Sequence, residues 1–264
     1  MSRAFPLALG LACVVASAAR PAHAAAEFVY RGITLPRGDV ALDLGLGFGH
    51  APIDANRSYN GFGMNLEIAG GITHELELGL RTGFRFDDDG QATQADSYGR
   101  AYETETFGTG HDRVANPELE LRWSVARGSA VQIALETRAY LPFETGTRFG
   151  LMFGVPLVLR LANVRVDTGV YVPILFYDPT ATAVSIPVHL WIQASPSFWL
   201  GPLFGLRIDD RTGGPREKYP FGFGFGWAAA RAIDLRTWIL FPHLNGDQAA
   251  RTFGAGLSLS IRFE

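Results

Sequence analysis

The sequence predicts an all-β fold, a transmembrane antiparallel β-barrel of about twelve strands in up-and-down order, and three observations lead to it. Apolar residues recur at every second position in one segment after another. The apolar face of these segments carries no charged residue. Short and long connections between the segments alternate strictly. After the N-terminus no run of about 18 apolar residues occurs, so no transmembrane helix is predicted.

The first observation is a period of two, which is the side-chain period of a β-strand. Residues 40–48, for example, alternate Val, Leu and Phe with Ala, Asp and Gly. The same alternation predicts strands at residues 40–48, 62–68, 76–86, 119–125, 131–141, 149–159, 164–172, 184–192, 198–208, 219–227, 233–241 and 253–263.

The second observation is that the apolar face contains no Asp, Glu, Lys or Arg in any of the twelve segments. A barrel of about eight strands already fills its interior with side chains, so twelve stripes of Phe, Leu and Trp would overfill a small soluble barrel. In lipid the stripes need no packing partner, and a charge among them at mid-bilayer costs about 2–4 kcal/mol. The apolar face is therefore predicted to contact lipid.

The third observation concerns the connections, which predict the orientation. Transmembrane barrels have short turns at the periplasmic rim and longer loops at the cell surface. The first strand then begins and the last strand ends on the short-turn side, which requires an even number of strands. The short connections are residues 73–74, 126–129, 161–163, 194–197 and 228–232, and the long ones are 50–60, 87–116, 142–148, 173–182, 209–218 and 242–250.

The N-terminus has the pattern of a cleavable signal peptide at residues 1–24. Arg3 supplies the positive charge, residues 6–18 form a short apolar region, and Ala22-His23-Ala24 is an A-x-A cleavage site. A lipid anchor at Cys13, the single cysteine, is the alternative. We then expect a short periplasmic segment at residues 25–36 and the barrel at residues 37–264.

Residues 37–264 resemble the Gram-negative outer-membrane β-barrel superfamily, and two stretches carry particular likenesses. Residues 71–80 are similar to the turn and strand of uncharacterised barrels, among them a family linked to uptake of aromatic compounds. Residues 256–263 resemble the C-terminal insertion signal, although Glu264 follows the aromatic Phe263 on which the superfamily usually ends. The resemblance implies a location in the outer membrane, contact with lipid and lipopolysaccharide, and insertion by the barrel-assembly machinery.

The predicted inward face carries the candidate functional residues, because a barrel's lumen determines what passes through it. In the first five segments this face has seven acids and four arginines, and in the other seven it has two acids and five arginines. A field across the bore is therefore predicted. The predicted pore-lining residues are Glu67, Glu75, Glu77, Arg81, Arg85, Glu120, Arg122, Glu136, Arg138, Arg160, Arg165, Asp167, His189, Arg207, Asp234 and Arg236.

Three functions agree with this pattern. The first is a monomeric, passive, porin-like channel for small polar solutes, and inward glycines such as Gly222 and Gly256 favour an open bore. The second is a structural or adhesive surface barrel, closed because Glu and Arg pair across neighbouring strands. The third, a conduit for hydrophobic compounds, is implied by the resemblance alone.

Other classes of function find little support. The acidic loop at residues 87–116 holds Asp, Ser and His, but a catalytic triad is recognised by geometry rather than by composition, so no enzyme is predicted. The basic residues are scattered, which does not favour nucleic-acid binding. No metal site and no cofactor is predicted.

Overall fold

Antiparallel strands make up nearly all of the described chain, and a computed structural model gives their bounds. The structure describes residues 27–52, 58–86, 114–143, 148–176, 180–210, 217–242, 244–245 and 251–264. The predicted signal peptide and most of the acidic loop lie outside these residues. Within the described ranges, no helix combines the length and the apolar character needed to cross a membrane.

The strands follow the predicted segments closely. A three-residue 3-10 turn at Phe28–Tyr30 precedes them. The strands of the described residues are β1 (Val40–Pro52), β2 (Ser58–Gly71), β3 (Leu76–Arg85), β4 (Glu118–Arg127), β5 (Val131–Tyr140), β6 (Gly150–Leu161), β7 (Val164–Leu175), β8 (Ala181–Ser195), β9 (Phe198–Asp209), β10 (Glu217–Lys218), β11 (Phe221–Ala230), β12 (Ile233–Phe241) and β13 (Phe253–Phe263).

Twelve of these strands close into a ring. The last strand, β13, pairs antiparallel with β1 from Val40 opposite Phe263 to His50 opposite Phe253, and every other ring strand pairs with its sequence neighbours in the ring. The two-residue β10 lies outside the ring and pairs only with β9. Closure leaves no free edge in the ring, which lipid requires because it offers no hydrogen-bond partner to an open strand. The predicted twelve-stranded barrel is confirmed.

The two faces of the sheet are divided as the period of two predicts. Outward positions are apolar and exposed, as Leu80 (47%) and Phe225 (47%) illustrate. Many inward positions are buried and charged, as with Glu77 and Arg122, each 1% exposed. The barrel is therefore apolar outside and polar over much of its inside, the reverse of a soluble barrel.

Five connections between consecutive ring strands are only two to four residues long, and they lie at one rim, which we call the short-turn rim; they are residues 72–75, 128–130, 162–163, 196–197 and 231–232. The tightest turns need an unusual backbone, and Ala162 accordingly has a positive φ of 48°. The start of β1 and the end of β13 lie at this rim as well, since Val40 is opposite Phe263. The opposite end of the barrel is the long-loop rim.

The faces of β13 provide a test. Leu257 is 51% exposed on the outer surface, and Ser258, the next residue, points inward. Leu257→Arg should reduce the assembled fraction strongly, because an arginine facing lipid costs about 2–4 kcal/mol near the midplane. Ser258→Arg should assemble nearly as the wild type does. Heat-modifiable migration in gel electrophoresis measures this fraction, and equal tolerance of both changes would refute the assignment of the faces.

Candidate functional site

The interior of the barrel contains three groups of side chains. An ion-pair cluster lies on β2–β5, and an aromatic wall lies on β8, β9 and β12. A segment that we call the N-terminal strap, residues 27–36, crosses the interior at the short-turn rim. The ion-pair cluster consists of Glu67, Glu77, Arg81, Glu118, Glu120, Arg122, Glu136 and Arg138, and the aromatic wall of Trp191, Trp199, Leu203, Trp238 and Leu240.

Arg122 is at the centre of the ion-pair cluster. Its guanidinium nitrogens lie 2.9 Å from Glu77, 2.7 Å from Glu120 and 2.8 Å from Glu136. The register of the sheet brings these groups together, because Arg122 stands directly opposite Glu77 on β3 and Glu136 on β5. Three carboxylates from three strands thus converge on one cation.

Arg138 repeats this arrangement nearer the long-loop rim. It donates to Glu118 and Glu136 at 3.1 Å each, and also to Glu120. Arg81 lies 3.7 Å from Glu118. Since all these side chains are buried, each charge depends on its partners in place of water, and removal of one partner would leave an uncompensated charge. A small pocket lies within the cluster, between Glu67, Arg81, Glu118, Glu120 and Arg138.

Charges elsewhere on the wall are also paired locally. Arg165 binds Asp167 two residues along β7 at 2.8 Å, Arg236 binds Asp43, and Arg262 lies 3.4 Å from Asp234. Arg160 donates to Gln132 at 3.1 Å. These contacts compensate charges locally, and the pair of Arg236 with Asp43 joins the two halves of the wall. The field across the bore that the sequence predicts is weakened accordingly.

The aromatic wall is built on glycines. Trp199 lies against Gly226 and Trp238 against Gly256, while a Cβ added to Gly224 would come within 3.0 Å of Trp191. The expectation that inward glycines open the bore is therefore only partly right, because much of the space they leave is filled by rings from neighbouring strands. The rings lie along the wall instead of projecting across the bore, which is what glycine permits.

Most of the predicted pore-lining residues do face the interior, but Glu75 lies elsewhere. It belongs to the turn at residues 72–75, its side chain is 53% exposed, and Arg127 is its partner at 3.9 Å. His189 and Arg207 are inward and partly exposed, and His189 meets Trp191 edge to face at 5.9 Å between ring centroids. The side chain of Arg85 lies outside the described residues.

The N-terminal strap was not predicted to enter the barrel. Phe28 stacks on Trp199 with ring centroids 4.6 Å apart and planes 4° apart, and it meets Trp191 edge to face. Arg31 binds both carboxylate oxygens of Asp234, one of them at 2.9 Å. Burial lowers the pKa of the Arg31 guanidinium, and the hydrogen bond and the charge of Asp234 oppose that shift. The strap is thus anchored by the aromatic ring of Phe28 and by the ion pair of Arg31 with Asp234.

The strap's backbone is anchored as well. The N–H groups of Val29, Ile33 and Leu35 donate to Gln193 at 3.3 Å, to Gln132 at 2.8 Å and to Glu77 at 2.6 Å. The carbonyl of Arg31 accepts from Arg165 at 2.8 Å. These partners belong to β3, β5, β7 and β8. The strap therefore spans the opening of the barrel at the short-turn rim, which we call the short-turn mouth. The apolar residues Phe28, Val29, Ile33 and Leu35 were the signal in the sequence, because a segment in water has no need of them.

Several solved outer-membrane channels share this architecture. The NanC porin has a TM-score of 0.61 at 7% identity, with 83% of this chain and 98% of that chain covered. An outer membrane channel from Pseudomonas putida F1 has 0.62 at 13% identity, with 89% and 98% covered. The KdgM porin has 0.54 at 8% identity, with 85% and 99% covered. No family model and no curated protein sequence matches the chain.

These likenesses concern the fold. The chain has the closed twelve-stranded fold of Gram-negative outer-membrane β-barrels, as the resemblance in its sequence implies. The exposed apolar residues around the ring suit a protein in that membrane. The three solved structures that it resembles in fold are two porins and an outer membrane channel.

The ion-pair cluster yields a second test. Arg122→Gln removes the arginine of Glu77 and one of the two arginines that Glu120 and Glu136 share, and should lower the free energy of unfolding by about 3–5 kcal/mol. The matched control is Arg127→Gln, which breaks an exposed pair and should cost at most about 1 kcal/mol. Urea unfolding in lipid vesicles, followed by tryptophan fluorescence, measures both. Equal stability of the two variants would show that the cluster is not a structural centre.

Proposed function

We propose that the chain is a passive, porin-like conduit for small polar solutes. The observation that carries this proposal is the partial exposure of inward residues at mid-depth, among them Asn65, His189, Trp238 and Ser258. Inside a closed ring, an inward side chain at mid-depth can be exposed only to space within the barrel. That space is the route we assign to the solute.

The route runs along the inner surface of the barrel, between the ion-pair cluster and the aromatic wall. There the register places Asn65, Gly45 and Ser258 side by side on β2, β1 and β13. These residues are small or uncharged, so they leave room and offer an amide and a hydroxyl for hydrogen bonds. Nearby charges such as Arg236 and Asp43 are paired with one another. A lining of this kind suits small polar molecules without a strong preference for one sign of charge.

The fold comparison supports a conduit of this general kind. A second structure of KdgM, with a TM-score of 0.50 at 8% identity, is a complex of that porin with disordered oligogalacturonate. The nature of this chain's solute is part of our proposal and rests on its own lining residues. We also propose an N-terminal export signal at residues 1–24, a periplasmic location for the short-turn rim, contact with lipopolysaccharide, and insertion by the barrel-assembly machinery.

A closed surface barrel is the second candidate, and a specific observation favours it. The ion-pair cluster is buried on one side, and the strap crosses the short-turn mouth. In this alternative the Glu and Arg side chains serve stability alone, and the long loops carry the function. Solute passage distinguishes the two candidates.

Neighbouring substitutions on β13 test the proposed route. Ser258→Trp places a large ring in the route and should lower single-channel conductance, and it should also slow liposome swelling in small neutral sugars. Leu257→Trp adds a ring of the same size on the lipid side and should leave both unchanged. Equal conductance of the two variants would contradict the proposed route. Absence of conductance both from the wild type and from a variant without residues 27–36 would favour the closed barrel.

A further inference from the structure

We propose that the N-terminal strap, residues 27–36, is a detachable gate that closes the short-turn mouth of the barrel. This inference rests on the proposed conduit, since a gate has a role only where something passes. It depends on three features of the strap. They are its path across the mouth, the bonds that hold it there, and the state of the wall when those bonds are broken.

The strap's path covers the mouth from one side to the other. Phe28 packs on the aromatic wall through Trp199, and Leu35 reaches Glu77 on β3 across the ring. Between them, Ile33 is buried against Ala134 and Val158 on β5 and β6. The strap therefore obstructs the route between the interior and the short-turn side.

The strap is bound by side chains and not by a strand ladder. Its regular structure is limited to the 3-10 turn Phe28–Tyr30, and its backbone N–H groups donate to the side chains of Gln193, Gln132 and Glu77. Such bonds can be broken without opening the ring. A barrel strand could not leave in this way, because its backbone groups would lose their partners.

The wall keeps a partner for four of the charged or amide groups that the strap uses. Without the strap, Asp234 retains Arg262 at 3.4 Å and Glu77 retains Arg122 at 2.9 Å. Gln132 retains Arg160 at 3.1 Å, and Arg165 retains Asp167 at 2.8 Å. Release of the strap therefore leaves none of these four groups without a partner. A segment that served only to complete the packing would not require such duplicate partners.

A hinge lies between the strap and β1. Gly38 has a φ of +87°, a conformation that side chains disfavour, and its N–H donates to the carbonyl of Gly71 at 2.8 Å. Gly71 in turn donates to Asp39 at 2.9 Å. These bonds hold the chain at the rim just before β1, so the strap can swing out while the barrel remains closed.

Planar-bilayer recordings of a loosened strap test the gate. The double variant Phe28→Ala/Arg31→Ala removes both anchors and should raise mean conductance several-fold over the wild type. The matched control is Tyr30→Ala, on the same strap but 56% exposed, which should leave conductance unchanged. Conductance of the double variant equal to that of a conducting wild type would overturn the gate and leave the conduit standing. Silence of all three proteins, with assembly shown by heat-modifiable migration, would overturn the conduit itself.

A reversible cross-link provides the opposite manipulation. Ile33 and Ala134 pack together, so Ile33→Cys/Ala134→Cys in a Cys13→Ser background can tie the strap to β5. Oxidation should hold the gate closed and suppress conductance, and a reductant added to the same membrane should restore it. The two single-cysteine variants should not respond. A cross-linked protein that conducts equally before and after reduction would overturn the proposal.

Discussion

The closed hydrogen-bond ring is the constraint on which the rest of the structure depends. Lipid cannot satisfy backbone N–H and C=O groups, so a sheet that crosses it must pair its first strand with its last. The seam between β1 and β13 does this along its whole length, from Val40 opposite Phe263 to His50 opposite Phe253. Once the ring is closed, the two-residue period of each strand sends one set of side chains to lipid and the other to the interior.

The interior then has to accommodate buried charge. Ion pairs are stronger in a poorly hydrated interior than in water, but the charges must also be compensated, because desolvation is costly. The register of β3, β4 and β5 meets this requirement by placing Arg122 opposite both Glu77 and Glu136. The same cluster that stabilises one half of the wall leaves the neighbouring small residues of β1, β2 and β13 free to line a route.

The sequence predicts the barrel well because its main signal is local. Alternation within a strand shows which side chains share a face, and the exclusion of charge shows which face meets lipid. Pairing is harder to predict, because it depends on register between strands. The contact of Arg31 with Asp234 joins residues 203 positions apart. Nothing in the alternation of either segment indicates that contact.

The strap, the inward glycines and Glu75 also show that a local pattern does not predict contacts between distant segments or the place where a strand ends. The strap has no periodicity, and its apolar residues indicate burial without indicating where. Inward glycines such as Gly226 predict a gap, but Trp199, on the adjacent strand, fills it. Glu75 extends the alternation of β3 by one position in the sequence, yet the chain turns there, and the side chain lies at the rim.

The division of the sheet into a lipid face and an interior face can be measured directly with the five native tryptophans. Trp123 and Trp227 are 52% and 50% exposed on the outer surface, whereas Trp191, Trp199 and Trp238 face inward. Variants that keep one tryptophan each, with the others changed to Phe, are reconstituted in lipids brominated along the acyl chain. Fluorescence of Trp123 and Trp227 should be strongly quenched, and that of the three inward tryptophans should be nearly unaffected. Equal quenching of all five would contradict the account.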